Sequence, residues 1–147
     1  MREIIFKAKR IDNGEWVEGS LLNLDSDSGY CYIVPAYEIA STLPIKSLIL
    51  DRMKLVAPET ICQFTGLCDK YGNKIWENDI VKTVSDIYAH IKFGLYTTGF
   101  ALEECNQGFY VDFPNKSYLR HELGYWNNKV EVRGNIFDNP KLLQEVR

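Results

Sequence analysis

The feature that most limits the fold of this chain is the closeness of its turn signals. Asp12-Asn13-Gly14, Asp25-Ser26-Asp27-Ser28-Gly29, Asp69-Lys70-Tyr71-Gly72-Asn73, Glu77-Asn78-Asp79 and Ser85-Asp86, with Gly94 and Gly99, punctuate it throughout. Such spacing suits strands of about 4–8 residues and leaves little room for long helices. Between the turns, apolar residues alternate. In residues 3–11, Ile4, Phe6 and Ala8 fall on one face and Lys7 and Lys9 on the other, the period of a half-buried strand. Asn13-Gly14 readily supplies the positive φ angles of a hairpin. Residues 15–22 then return, opening on Trp16 and Val17, and residues 30–34 complete a meander.

Further strands are expected at residues 54–57, 61–64, 80–84, 88–93, 100–103, 109–113 and 130–133, with residues 74–76 leading into the Glu77-Asn78-Asp79 turn. Residues 35–53, broken by Pro35 and Pro44, read as a loop with a short turn or helix over 37–42. Residues 117–123 suit one or two helical turns with Ser117 as cap. Asn139 as a cap, Pro140 and Leu142-Leu143 open a small C-terminal helix. The expected fold class is mainly β, with an N-terminal β-rich segment over 1–58 and a second region over 59–147.

Composition narrows the function classes. The 147 residues are enough to bury roughly 68–70% of the unfolded surface, so a core needs no metal or disulfide. Nine Tyr, seven Phe and three Trp favour strands over helices. Net charge is −3, with 7 basic and 9 acidic residues in positions 1–60 and 10 and 11 in the remainder. Neither part is a basic module, so the footprint of a duplex-binding protein is missing. The first residues lack the apolar run of a signal peptide and no stretch approaches a membrane span. The reading is a protein of a reducing cytoplasm, with no membrane association.

Candidate chemistry is weak. Cys31, Cys62, Cys68 and Cys105 include no CxxC pair, and His90 and His121 lie far from the loose Cys62–Cys68 pair. Zinc sites usually show two close ligand pairs, so free thiols and no metal are expected. Asp69, Glu77 and Asp79 cluster in sequence, and paired carboxylates serve acid–base work or hold magnesium. All three, however, occupy turn positions, where such side chains accept bonds from backbone N–H groups. Residues 66–74 imitate a phosphate loop but fail on spacing: five residues separate Gly66 from Gly72, Asn73 precedes Lys74, and Ile75 replaces the magnesium-binding hydroxyl. Gln107-Gly108-Phe109-Tyr110-Val111-Asp112-Phe113 resembles an aromatic RNA-binding strand, yet Gln107 and Tyr110 depart from it. Phe109, Val111 and Phe113 alternate as a buried strand face does. His90 falls on the outward face of its strand, and His121 in a polar loop. Neither shows a nucleophile partner by pattern. No catalytic, cofactor-binding or metal residue is therefore assigned.

The segment Glu59-Thr60-Ile61-Cys62-Gln63-Phe64-Thr65-Gly66-Leu67-Cys68-Asp69-Lys70-Tyr71-Gly72-Asn73-Lys74-Ile75-Trp76-Glu77-Asn78-Asp79-Ile80-Val81 resembles the signature of the YopX family of phage and prophage proteins. That signature is a Gln-aromatic-Thr-Gly-Leu segment, an Asp-x-x-Gly turn, then an aromatic and Glu-Gly/Asn-Asp-Ile-Val. Arg2-Glu3-Ile4-Ile5-Phe6-Lys7-Ala8, Trp16-Val17-Glu18-Gly19-Ser20-Leu21 and the ending Gly134-Asn135-Ile136-Phe137-Asp138-Asn139-Pro140-Lys141-Leu142-Leu143 are similar to the family's other motifs. Residues 23–57 and 94–125 match none.

The resemblance implies an SH3-like small barrel over 59–147. In it Ile80 and Val84 point inward with Ile91 and Phe93, Lys82 and Lys92 face solvent, and Gly134 permits close backbone approach near closure. It also implies a phage or prophage accessory protein of a bacterial host. The expected role is a non-enzymatic protein-binding module with Trp16, Trp76 or Trp126 as anchors wherever exposed. The alternative is a nucleic-acid-binding accessory protein. Self-association is left open.

Overall fold

The structure, a computed structural model, describes residues 2–24, 29–36, 44–97, 105–114 and 118–144. The chain divides into two compact units, residues 1–64 and 65–147.

The first unit is the expected meander. β1 (Phe6–Lys9), β2 (Trp16–Asn23), β3 (Cys31–Pro35) and β4 (Lys54–Val56) pair in succession, all antiparallel. The alternation read in the sequence decides what is inside. Ala8, Cys31, Ile33 and Val56 form the core, with Phe6, Val17, Leu21 and Ile61 packed on it. Gly19 fits between Val17 and Leu21 on that face because nothing larger does. A Cβ there would lie 2.0 Å from the Val34 carbonyl oxygen.

β4 does not end the circuit. Ile11 N donates to Leu55 O (3.1 Å), Ala57 N donates to Lys9 O (2.9 Å), and Arg10 bridges Val56. The four strands thus close back on the end of β1. A 3-10 turn, Pro58–Thr60, follows, and Thr60 Oγ1 accepts from Lys9 N at 2.9 Å. It delivers β5 (Cys62–Cys68), whose first residues pair with β1 at Phe6 and Lys7.

Between β3 and β4 the structure differs from expectation. Residues 45–52 form α1 (Ile45–Arg52), where a loop was expected. It begins directly after Pro44 with no side-chain cap, so its start carries none of the usual signals. The turn or helix expected over 37–42 lies outside the described residues, as do the strand at 100–103 and the Ser117 cap.

In the second unit β6 (Lys74–Trp76) follows β5 through the Asp69–Asn73 turn. A four-stranded antiparallel sheet then runs in the order β10-β7-β8-β9. These are β7 (Asp79–Thr83), β8 (Tyr88–Tyr96), β9 (Asn106–Asp112) and β10 (Val130–Asn135). Among the described residues no ladder joins its two edges, β9 and β10. The small barrel expected over 59–147 is therefore not seen as a closed sheet, and ring closure belongs to the first unit. A short helix α2 (Leu123–Trp126) precedes β10, and a 3-10 turn, Pro140–Leu143, ends the described chain.

The core of this unit joins Ile75, Val81, Ala89, Ile91, Val111, Phe113, Leu123, Trp126 and Val130. Ile80 is also fully buried, but strand alternation puts it on the opposite face from Val81. The sheet is thus covered on both faces there, and Ile80 and Ile91 do not share a core as expected. Two further expectations fail. Val84 is 81% exposed because β7 ends at Thr83 and Val84 enters the turn closed by Thr83 N to Ile87 O. Phe93 lies on the core face of β8 but is 50% exposed. Lys82 and Lys92 are only partly exposed, paired with Asp86 (2.7 Å) and Asp112 (2.8 Å).

Candidate functional site

The motif carboxylates hold the framework. Asp69 is 6% exposed, and its two oxygens accept from the N–H groups of Tyr71, Asn73 and Val132, each at 2.9 Å, and from Asn73 Nδ2 at 3.2 Å. Burial by itself would raise its pKa. The N–H donors of Val132, Asn73 and Tyr71 outweigh burial and hold the carboxyl below its ordinary value. One side chain thus folds its own turn and ties it to β10. Asp79 is buried, and its Oδ2 accepts from Trp76 N at 2.8 Å. Between them, Asn78 takes a φ of 68°, as Asn tolerates better than most residues. Its N–H donates to Ile91 O, and its carbonyl accepts from Ile136 N. For Asp69 and Asp79 these bonds are those of turn acceptors, the reading expected of them.

Both histidines are also held. His90 Nε2 lies 2.9 Å from Asn78 Oδ1, an oxygen that can only accept, so Nε2 carries the proton. Burial, with Lys92 adding to it and Asp112 opposing, keeps the His90 pKa below its ordinary value. His121 Nδ1 meets the Val111 carbonyl at 2.9 Å, and His121 O accepts from Val111 N. The cysteines are free thiols: Cys31 and Cys62 buried, Cys68 half-buried, Cys105 exposed. Among the described residues no group of three or more His, Cys, Asp or Glu is placed to hold a metal.

Phe109, Val111 and Phe113 show the buried face expected of them, with Val111 and Phe113 in the core and Phe109 packed against it. Of the tryptophans, Trp76 and Trp126 are buried; Trp126 Nε1 donates to Arg120 O. Trp16 is half-buried under two ammonium groups, Lys7 at 4.8 Å and Lys9 at 5.5 Å from its ring. Gly134 does mark a close approach, made by a side chain. A Cβ there would sit 2.3 Å from Asn139 Oδ1, which accepts from Asn135 N instead of capping the C-terminal turn.

What the sequence reading missed is a two-stranded arm. β7 pairs with β8 only at Tyr88, Ala89 and His90, whereas β9 pairs with β8 from His90 to Tyr96. Among the described residues, β8 and β9 therefore continue past Ile91 without a third strand. On the arm's core-side face, Phe93 packs edge-on against Phe109 with ring centroids 5.0 Å apart, and Leu95 is 67% exposed. On the other face Tyr96 stacks on Tyr110 at 5.9 Å across paired Gly94 and Gly108. No sequence signal marked it, because alternation marks a face as apolar without saying where its cover stops.

The class defined by these features is an antiparallel β protein of two units in which Asp69 and Asp79 serve as turn and ladder acceptors and whose second sheet extends an aromatic arm. The sequence pattern of the family described as "YopX protein" matches residues 5–144. The chain belongs to the YopX family. It is similar in structure to the subject of "Crystal structure of protein EF1440 from Enterococcus faecalis", at 19% identity, covering 97% of this chain and 99% of that chain, with a TM-score of 0.49. No curated protein matches the sequence. No helix among the described residues is long and apolar enough to cross a membrane.

Proposed function

We propose that this protein is a non-enzymatic, protein-binding accessory factor of a phage or prophage, acting in the bacterial cytoplasm. The observation that supports this reading is the arm, where Phe93 and Leu95 stand half or more exposed on the face that lower down is core. Exposed, adjacent large apolar side chains on a fixed strand are what protein interfaces use as anchors. The non-enzymatic part of the reading rests on Asp69 and Asp79, whose carboxylates are engaged with backbone N–H groups.

The competing reading, nucleic-acid binding, is favoured by one feature, the Lys7 and Lys9 ammonium groups over Trp16. Against it, the chain carries a net charge of −3, and phosphate neutralisation supplies nearly all non-specific affinity. Affinity capture of the tagged protein from host lysate, with and without nuclease, tests the choice. The proposal expects a protein partner recovered equally under both conditions. Recovery abolished by nuclease would overturn it.

A further inference from the structure

Asn13 is the only asparagine of the chain followed by glycine. Among asparagines, one followed by glycine is the most prone to deamidation, because no side chain shields the following amide nitrogen. In the reaction, Gly14 N loses its proton and bonds to Asn13 Cγ, and the side-chain nitrogen leaves as ammonia. Water then opens the resulting five-membered imide at either carbonyl, giving aspartate or isoaspartate. Nothing is oxidised, and water is the only co-reactant.

In the folded first unit both reacting groups are engaged elsewhere. Gly14 N–H donates to Arg10 O at 2.9 Å, so the nucleophile's proton is held in the hairpin. Asn13 Oδ1 accepts from Glu15 N at 2.9 Å, and Nδ2 lies 3.3 Å from Glu15 Oε2. Arg10 N donates to Glu15 O at 2.9 Å, and Gly14 sits at a φ of 71°, so the loop is closed as a unit. The residues are exposed, so access of water is not what restrains the reaction.

We propose that Asn13 is a conformationally gated deamidation site, silent while the β1–β2 hairpin is closed and reactive once it opens. The product would not be neutral to the fold. It adds a negative charge between Asp12 and Glu15, and isoaspartate adds a backbone methylene in the loop that sets Lys9 opposite Trp16. A chain that has opened long enough to react is thereby marked irreversibly and closes less well afterwards.

The test follows the full chain by peptide mass spectrometry during incubation at mildly alkaline pH, folded in buffer and unfolded in urea. Deamidation at Asn13 is expected to be at least roughly tenfold slower in the folded chain, since reaction must wait for local opening. Gly19→Ala, which loosens the same circuit of strands without touching the loop, should raise the folded-state rate. Asn13→Asp should leave the intact mass constant over the same period. A folded-chain rate within tenfold of the unfolded rate overturns the proposal, as does a Gly19→Ala rate no higher than the parent's when that variant melts at a lower temperature.

Discussion

Asp69 folds the Asp69–Asn73 turn of the second unit and ties it to β10. It replaces water for three backbone N–H groups at once, and truncation would remove the acceptor of all three. Asp69→Ala should lower unfolding free energy by about 2–4 kcal/mol, measured by urea titration. Its acid response follows from the sign of its shift. The folded carboxyl titrates below the ordinary value of 3.8, so its stabilisation is complete above that pH and is lost as pH falls through the lower folded value. His90 adds an earlier step of the same sign. Its folded pKa lies below 6.5, so the unfolded chain binds more protons below that pH, and stability declines as pH drops from about 6.5. Urea midpoints taken from pH 7.5 to 5 should fall, and His90→Gln should flatten that decline. The role of Asp69 as a turn residue was legible, because Asp followed by Gly three places on is turn chemistry. Its bond to Val132, sixty-three positions away, was not, since no local pattern reports a long-range acceptor.

Among elements, β7 and β8 separate what alternation can tell from what it cannot. The sequence places Ile80 and Val84 on one strand face, and they do share a period, but a period says nothing about where a strand ends. Ile80 is sealed and Val84 stands in the turn. Ile80→Ala should therefore destabilise by about 2–5 kcal/mol, whereas Val84→Ala should stay within about 0.5 kcal/mol. Thermal or urea unfolding of the pair checks the difference; equal losses would contradict the placement of Val84. The meander of the first unit was readable for a simple reason. Asn13-Gly14 fixes its first hairpin, and each strand buries one face only. The uncapped α1 was not readable: Pro44 suggested a break, and the residues that follow it give no first-turn acid or cap.

At the scale of the whole molecule, both units have cores of their own, built from apolar side chains. Addition of a chelator should leave the melting temperature unchanged, and four thiols should titrate after unfolding. Zinc bound stoichiometrically would contradict this. The mainly-β class and the family membership were legible because turn chemistry and spaced motifs are local. The arm was not, because its exposure depends on β7 being shorter than β8.

The arm also carries the functional account, so it decides the matter most directly. Leu95 is largely exposed and Phe93 half so, and replacing Phe93 with Ser and Leu95 with Asp should cost about 1–2 kcal/mol, chiefly from the lost Phe93–Phe109 contact, and leave the fold intact. Quantitative capture from host lysate with the parent and the Phe93→Ser, Leu95→Asp double variant, both nuclease-treated and both folded at the capture temperature, is the measurement. The account predicts a partner retained by the parent and lost by at least roughly tenfold in the variant, as expected when hot-spot anchors are removed. Equal capture by both proteins would contradict it.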